Sequence, residues 1–83
     1  MISQHAKERA REYALSESRL LESDEFPANS AIILQQVGDY VLIAIRQYNA
    51  IRQCAVTTTV IRRNNTRQLT ADMFGVEKFF ICR

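Results

Sequence analysis

The sequence has few of the residues from which metal sites and disulfide frameworks are built. Its 83 residues include two cysteines, Cys54 and Cys82, and a single histidine, His5. The cysteines lie far apart and form no CxxC pair, so the usual four-ligand zinc site of cysteine and histidine is excluded. Two reduced, buried thiols are the simpler interpretation, and a disulfide between them is the alternative. We expect no metal and no cofactor.

The chain is also poor in the groups from which catalytic sites are made. Its two glycines, Gly38 and Gly75, lie too far apart to form a glycine-rich phosphate loop. His5 is close to the first residue, and Cys54 has no histidine beside it that could activate the thiol. The sequence therefore predicts a protein that is not an enzyme.

Long uninterrupted apolar runs are absent as well. The most apolar stretch, residues 31–45, contains Gln35, Gln36 and Asp39, whereas a membrane span needs about 20 nearly uncharged residues. Residues 1–5 lack the basic segment and apolar run of a secretory signal. We expect no membrane partner and a cytoplasmic location.

The composition is that of one small globular domain covering residues 1–83. Hydrophobic residues make up 47% of the chain and charged residues 24%, which excludes a disordered tail. A chain of this length buries only about 60–65% of its unfolded surface, so its own core is marginal. Association of two copies would cover the remaining apolar surface, and we therefore expect a homodimer.

Charge is distributed unevenly along the chain. The formal net charge is +2, but residues 1–39 carry −3 and residues 40–83 carry +5. Such asymmetry indicates either a basic half that meets a polyanion or two halves that attract each other. The second arrangement could occur within one chain or across a dimer.

The pattern of apolar residues predicts an all-α fold, a small domain of three to four helices. Residues 1–22 read as an amphipathic helix, and Pro27 marks a break before the next element. Residues 30–55 are apolar nearly all round, which predicts a long central helix with Gly38 at a close helix–helix contact. The alternative for this region is a buried strand at Tyr40–Ile45.

Residues 56–61 are β-branched without interruption, Val-Thr-Thr-Thr-Val-Ile. That composition favours a short strand, although an extension of the central helix would also accommodate it. The sequence leaves both interpretations open for this segment.

Residues 67–83 contain the most specific pattern in the chain. A helix-turn-helix needs a small residue in its first helix, a glycine in the turn, and apolar residues that hold the second helix. Ala71, Gly75, Val76 and Ile81 follow that order. In this respect the segment resembles the helix-turn-helix of small bacterial and phage regulators.

The resemblance implies a dimeric regulator of transcription that binds double-stranded DNA. The second helix would present Glu77, Lys78 and Arg83 to the major groove. Basic residues before and within the motif would contact phosphates, and these are Arg62, Arg63 and Arg67.

Two aromatic residues favour a different partner. Phe79 and Phe80 stand where a recognition helix usually carries polar side chains. The alternative function is therefore a helical protein-interaction module, an adaptor, inhibitor or antitoxin-like partner that binds another protein. The order of helices and the basic loop also resemble a histone fold, which would imply obligate dimerisation and contact with nucleic acid.

Overall fold

The structure is a computed structural model that describes residues 1–64 and 68–82. Two short helices precede a four-stranded sheet, and two 3-10 helices lie in the connections. The helices are Gln4–Glu12 (α1) and Glu17–Glu22 (α2), the 3-10 helices are Ser23–Glu25 and Ala71–Phe74, and the strands are Ser30–Val37 (β1), Tyr40–Asn49 (β2), Cys54–Asn64 (β3) and Lys78–Ile81 (β4).

The predicted all-α fold is wrong, and the main error is the long central helix. Residues 30–55 instead contain β1, β2, the turn after β2 and the first two residues of β3. β1 and β2 are an antiparallel pair whose two-residue loop starts with Gly38 at φ 56°. Glycine at the first loop position suits a tight hairpin turn, so it joins two strands here and marks no helix contact. A strand that is covered on both faces is as apolar all round as a buried helix, and periodicity does not distinguish them.

The β-branched segment forms part of β3, the longest strand. Val60 is fully buried and pairs with Ala44, while Thr57 pairs with Arg46. Of the two interpretations left open for residues 56–61, the strand is the one found in the structure. The branched side chains pack against neighbouring strands, which is the environment that favours them.

The predicted helix-turn-helix is also wrong. Ala71–Phe74 is a single 3-10 turn that ends at Gly75 with φ 67°, and the supposed recognition helix is strand β4. Phe79 and Phe80 point to opposite faces of the sheet, as successive residues of a strand do. The glycine does adopt the left-handed backbone expected of a turn, but the turn leads into a strand.

The sheet has the order β3-β2-β1-β4. β1, β2 and β3 form an antiparallel meander, whereas β4 runs parallel to β1 and pairs Ser30 with Lys78. The register shifts once between Ile33 and Gln35 and once between Ile45 and Arg46. These bulges bend the strands and re-aim the side chains beyond them.

Each face of the sheet has its own core. The helical face is covered by α1 and α2, and its buried residues are Ala6, Ala10, Leu15, Leu20, Ile32, Leu34, Leu42, Ala44 and Val60. The loop face is covered by residues 68–77, and its buried residues are Ala31, Val41, Ile43, Ile45 and Val76. The central strand β2 is therefore buried on both sides.

Residues 1–22 form two short helices instead of one. Ser3 and Ser16 cap them, each side chain accepting a hydrogen bond from a backbone N–H of the first turn. The chain reverses between the helices at Ala14, whose φ is 57°. Ala6 and Ala10 are buried, so small side chains let α1 approach the sheet closely.

A buried arginine connects the N-terminal segment to the helical face through hydrogen bonds. Arg46 is only 2% exposed, and its guanidinium donates to Asp24 Oδ1 at 3.0 Å, Thr57 Oγ1 at 2.9 Å and Ala55 O at 3.2 Å. The N-terminal ammonium of Met1 pairs with the same Asp24 carboxylate. The N–H of Thr57 donates to Met1 O at 2.8 Å, which ties the first residues to the edge of β3.

Within residues 1–64 and 68–82, no helix combines the length and apolar character that a bilayer crossing requires. Cys54 and Cys82 are both free thiols and both half-buried. The disulfide alternative is therefore not formed in this structure.

Candidate nucleic-acid interface

Two of the predicted phosphate contacts, Arg62 and Arg63, lie near the end of β3. They pair with Leu42 and Val41 of β2 and are exposed. Because they are consecutive in a strand, their side chains lie on opposite faces of the sheet. The two guanidinium groups therefore flank the corner formed by β3 and the β1–β2 turn.

Arg62 lies over an aromatic ring on the helical face. Its guanidinium carbon is 5.1 Å from the centre of the Tyr40 ring, a cation–π contact. Tyr40 opens β2 directly after the turn, and its ring is half-buried against the helical-face core. A guanidinium held over a ring leaves its outer face open to a ligand.

Arg63 makes the corresponding contact on the loop face. Its guanidinium carbon is 5.9 Å from the centre of the Phe74 ring. Phe74 is itself stacked on Phe79 of β4, with ring centres 6.0 Å apart. The 3-10 helix at Ala71–Phe74 therefore supplies the ring that supports Arg63.

A shallow groove of about 500 Å3 lies at this corner. Its lining residues are Asp39, Tyr40, Arg62, Arg63 and Asn64. Asp39 is the one acid among them, so the lining carries a net positive charge. The groove is open, a shape that suits an extended anionic chain better than an enclosed small molecule.

The remaining predicted contacts do not join this corner. Lys78 pairs with Ser30 of β1. Arg63 pairs with Val41 of β2, and Val41 pairs with Gln36 of β1, so Arg63 lies at the level of Gln36. The two positions are thus about 20 Å apart along the strands. Glu77 lies beside Lys78, where both backbone N–H groups donate to Asn29 O at 2.9 and 3.1 Å. Arg67 and Arg83 lie outside the described residues.

The four residues of the predicted helix-turn-helix pattern lie in the 3-10 helix, in the link after it and in β4. Ala71 is half-buried against the loop-face core and Val76 is buried within it. Gly75 ends the 3-10 helix with its positive φ. Ile81 is 59% exposed at the edge of the sheet and locks no second helix.

Sequence reasoning missed the aromatic partners of the two arginines. Tyr40 and Phe74 are far from Arg62 and Arg63 in sequence, and only the pairing of β2 with β3 and the return of the chain over the loop face bring them together. A strand assignment for residues 40–45 would have placed Tyr40 next to β3. Nothing in the sequence indicated the position of Phe74.

A second exposed feature is the tip of the β2–β3 hairpin. Ile51 is 95% exposed and Tyr48 is 58% exposed. Arg52 lies in the same turn, where its backbone N–H donates to Asn49 Oδ1 at 3.0 Å. The tip lies at the opposite end of β3 from Arg62 and Arg63.

One cluster of titratable groups links α2 to β4. The Cys82 thiol donates to Glu22 Oε2 at 2.8 Å, and Arg19 pairs with the same carboxylate oxygen at 2.9 Å. The hydrogen bond to Glu22, followed by burial, raises the pKa of Cys82, while the thiol and Arg19 lower the pKa of Glu22. A thiol with a raised pKa is a poor nucleophile.

Among the described residues, no group of three or more histidine, cysteine or acidic side chains is placed to hold a metal ion. Comparison with known proteins gives no further assignment: no family model matches the chain, and no curated protein and no solved structure matches it.

Proposed function

We propose that the protein binds single-stranded nucleic acid at the corner formed by the end of β3 and the β1–β2 turn. The observation that carries the proposal is the pair Arg62 and Arg63, each with its guanidinium over an aromatic ring beside an open, positively charged groove. Guanidinium groups make bidentate hydrogen bonds to phosphate, and their outer faces stack on bases.

The architecture favours a single strand over a duplex. Reading the major groove requires a protruding helix or a two-stranded ribbon with suitable side chains. In the described part of the chain both α-helices pack on the sheet, and the segment expected to be a recognition helix is β4. The exposed tip of the β2–β3 hairpin presents the apolar side chains Tyr48 and Ile51 and the single cation Arg52, which are not the polar set that reads base edges. Contacts to phosphates give affinity without sequence preference, so we expect binding that tolerates many sequences.

Fluorescence anisotropy with a labelled 20-nucleotide single strand of mixed sequence tests the proposal. Two phosphate contacts give a slope of about −1.4 in log K against log salt, so affinity should fall about sevenfold between roughly 50 and 200 mM salt. A duplex of the same sequence should bind more weakly than the single strand.

Charge-reversal variants locate the site. Arg62→Glu and Arg63→Glu should each weaken binding and flatten the salt dependence. Arg52→Glu is the matched control, because it makes the same change of charge at the opposite end of β3 and should leave affinity within about twofold. Equal losses in all three variants would indicate a general charge effect, and no binding of wild type at low salt would overturn the proposal.

A protein partner is the second candidate, and the hairpin tip favours it. An isoleucine that is 95% exposed in the β2–β3 turn is suited to fill an apolar pocket on another protein. The same anisotropy assay separates the two surfaces: Ile51→Ser, which changes no charge, should leave nucleic-acid binding unchanged if the Arg62 and Arg63 corner is the functional surface.

A further inference from the structure

β4 forms one edge of the sheet, and among residues 1–64 and 68–82 no strand pairs with its outer side. The N–H groups of Lys78 and Cys82 donate inward to β1, to Asn29 O at 3.1 Å and Ile33 O at 2.9 Å. Because backbone direction alternates along a strand, the N–H and C=O groups of Phe79 and Ile81 face outward. An unpaired edge of this kind is a template for another strand.

The side chains along β4 carry apolar surface at the same edge. On the loop face, Ile81 is 59% exposed beside the half-buried Phe79. On the helical face, Phe80 packs against Phe26 with ring centres 5.1 Å apart. A strand added to this edge would cover Ile81.

The two ends of β4 differ in charge on the helical face. Lys78 is exposed at the start of the strand. Cys82 follows the last residue of β4, and its thiol donates to Glu22. The charges of Glu22 and Glu25 raise the pKa of this thiol, whereas the charge of Arg19 lowers it. The strand therefore begins at a cation and ends near Glu22, Glu25 and the guanidinium of Arg19, whose Nη1 lies 3.9 Å from the Cys82 sulfur. Two carboxylates against one guanidinium leave one net negative charge at this end, so two antiparallel copies are complementary.

We propose that two copies of the chain associate through their β4 strands, antiparallel, about a two-fold axis at Phe80. In this register Phe79 of each copy pairs with Ile81 of the other, and both outward pairs exchange their N–H···O=C bonds. Lys78 of each copy lies opposite Cys82 and the adjacent Glu22 of the other. The association joins two four-stranded sheets edge to edge in a closed, isologous dimer.

The contact is small because β4 has four residues. Interfaces below about 1,200 Å2 are typical of weak complexes. The dimer should therefore exchange with monomer, and its fraction should rise with protein concentration.

Cross-linking at a designed cysteine tests the register. In this pairing Lys78 and Cys82 of opposite copies form a non-hydrogen-bonded pair with Cα atoms about 4.5 Å apart, within the range that a disulfide bridges. Within one copy the two positions are about 13 Å apart along the strand, too far for a bond. Lys78→Cys with Cys54→Ser, oxidised by glutathione disulfide until the yield is constant, should form a covalent dimer on a non-reducing gel, because the raised pKa of Cys82 slows disulfide exchange without preventing it.

Two controls make the result specific. Adding Cys82→Ser to Lys78→Cys should abolish the covalent dimer, and Glu77→Cys with Cys54→Ser should cross-link much less because no cysteine lies opposite it. Equal cross-linking at positions 77 and 78, or none at 78, would overturn the register.

Sedimentation of unmodified protein over a range of concentrations tests the association itself. Ile81→Pro removes an outward N–H without removing a bond to β1, so this variant should remain monomeric and keep the wild-type circular dichroism spectrum. Wild-type protein that stays monomeric up to about 1 mM would overturn the proposal.

Discussion

Arg46 Nη1 lies 3.0 Å from Asp24 Oδ1, and this pair joins the middle of the sheet to the segment after α2. The two residues differ in environment: the Arg46 side chain is buried, whereas the Asp24 carboxyl is about half exposed. The guanidinium also satisfies Thr57 Oγ1 and Ala55 O, so it organises the polar groups beneath the N-terminal segment.

Arg46→Ala should lower the free energy of unfolding by about 2–4 kcal/mol, because it creates a cavity and leaves buried acceptors unpaired. Urea denaturation followed by circular dichroism measures the change. Arg52→Ala, at an exposed turn position, should stay within about 0.5 kcal/mol of wild type. A similar, small loss for both variants would show that the buried network adds little stability.

Stability should depend on Asp24 in acid. Its hydrogen bond to the N-terminal ammonium, followed by that to Arg46, holds the pKa of Asp24 below its ordinary value of 3.8. A lowered folded-state pKa stabilises the protein above the unfolded pKa, and this stabilisation is lost as pH falls through the folded-state pKa. Asp24→Asn should therefore cost stability at pH 7 and progressively less below about pH 4.

Denaturation of wild type and Asp24→Asn across pH 2–7 gives that difference directly. Asp39→Asn is the control, since Asp39 is an exposed residue of the β1–β2 turn. A stability difference between wild type and Asp24→Asn that does not change with pH would contradict the electrostatic explanation.

Cys82 should react slowly with alkylating reagents. Its thiol donates to the Glu22 carboxylate, which together with burial raises the pKa of Cys82 and lowers its thiolate fraction at neutral pH. In a Cys54→Ser background, Glu22→Gln should speed alkylation by iodoacetamide at pH 8 and shift the rate profile to lower pH. An unchanged profile would show that burial alone controls the thiol.

Replacing Gly38 by a residue with a side chain should lower the stability of the protein. Its φ of 56° lies in the left-handed region, and a Cβ there would meet no atom within 4 Å. The cost of Gly38→Ala is therefore one of backbone conformation, about 1–2 kcal/mol. Gly38→Asn should cost less, because asparagine adopts this conformation more readily. Thermal or urea unfolding of the two variants gives the order, and equal costs would contradict it.

The sequence predicts those features of the fold that depend on a few neighbouring residues. The break around Pro27 and the strand character of Val56–Ile61 are local properties, and both correspond to features of the structure. The central error came from residues 30–55, because a strand buried on two faces and a buried helix have the same apolar pattern. Reading Gly38-Asp39 as a hairpin turn would have divided that segment correctly.

The candidate site was predictable only in part. The basic character of Arg62 and Arg63 is visible in the sequence, but Tyr40 and Phe74 reach them through tertiary structure alone. The helix-turn-helix prediction puts Lys78 and the arginines on one DNA-binding surface. A parallel β4 instead places Lys78 toward the opposite end of the sheet.

The parallel pairing of β4 with β1 also bears on how the sheet is assembled. Short turns bring β1, β2 and β3 together, whereas β4 reaches β1 only after the chain has crossed the loop face. Closing that long loop costs more entropy than closing a hairpin. We expect the meander to form first and β4 to dock last, so backbone amides of β2 should exchange with solvent deuterium most slowly and those of β4 among the fastest of the strands.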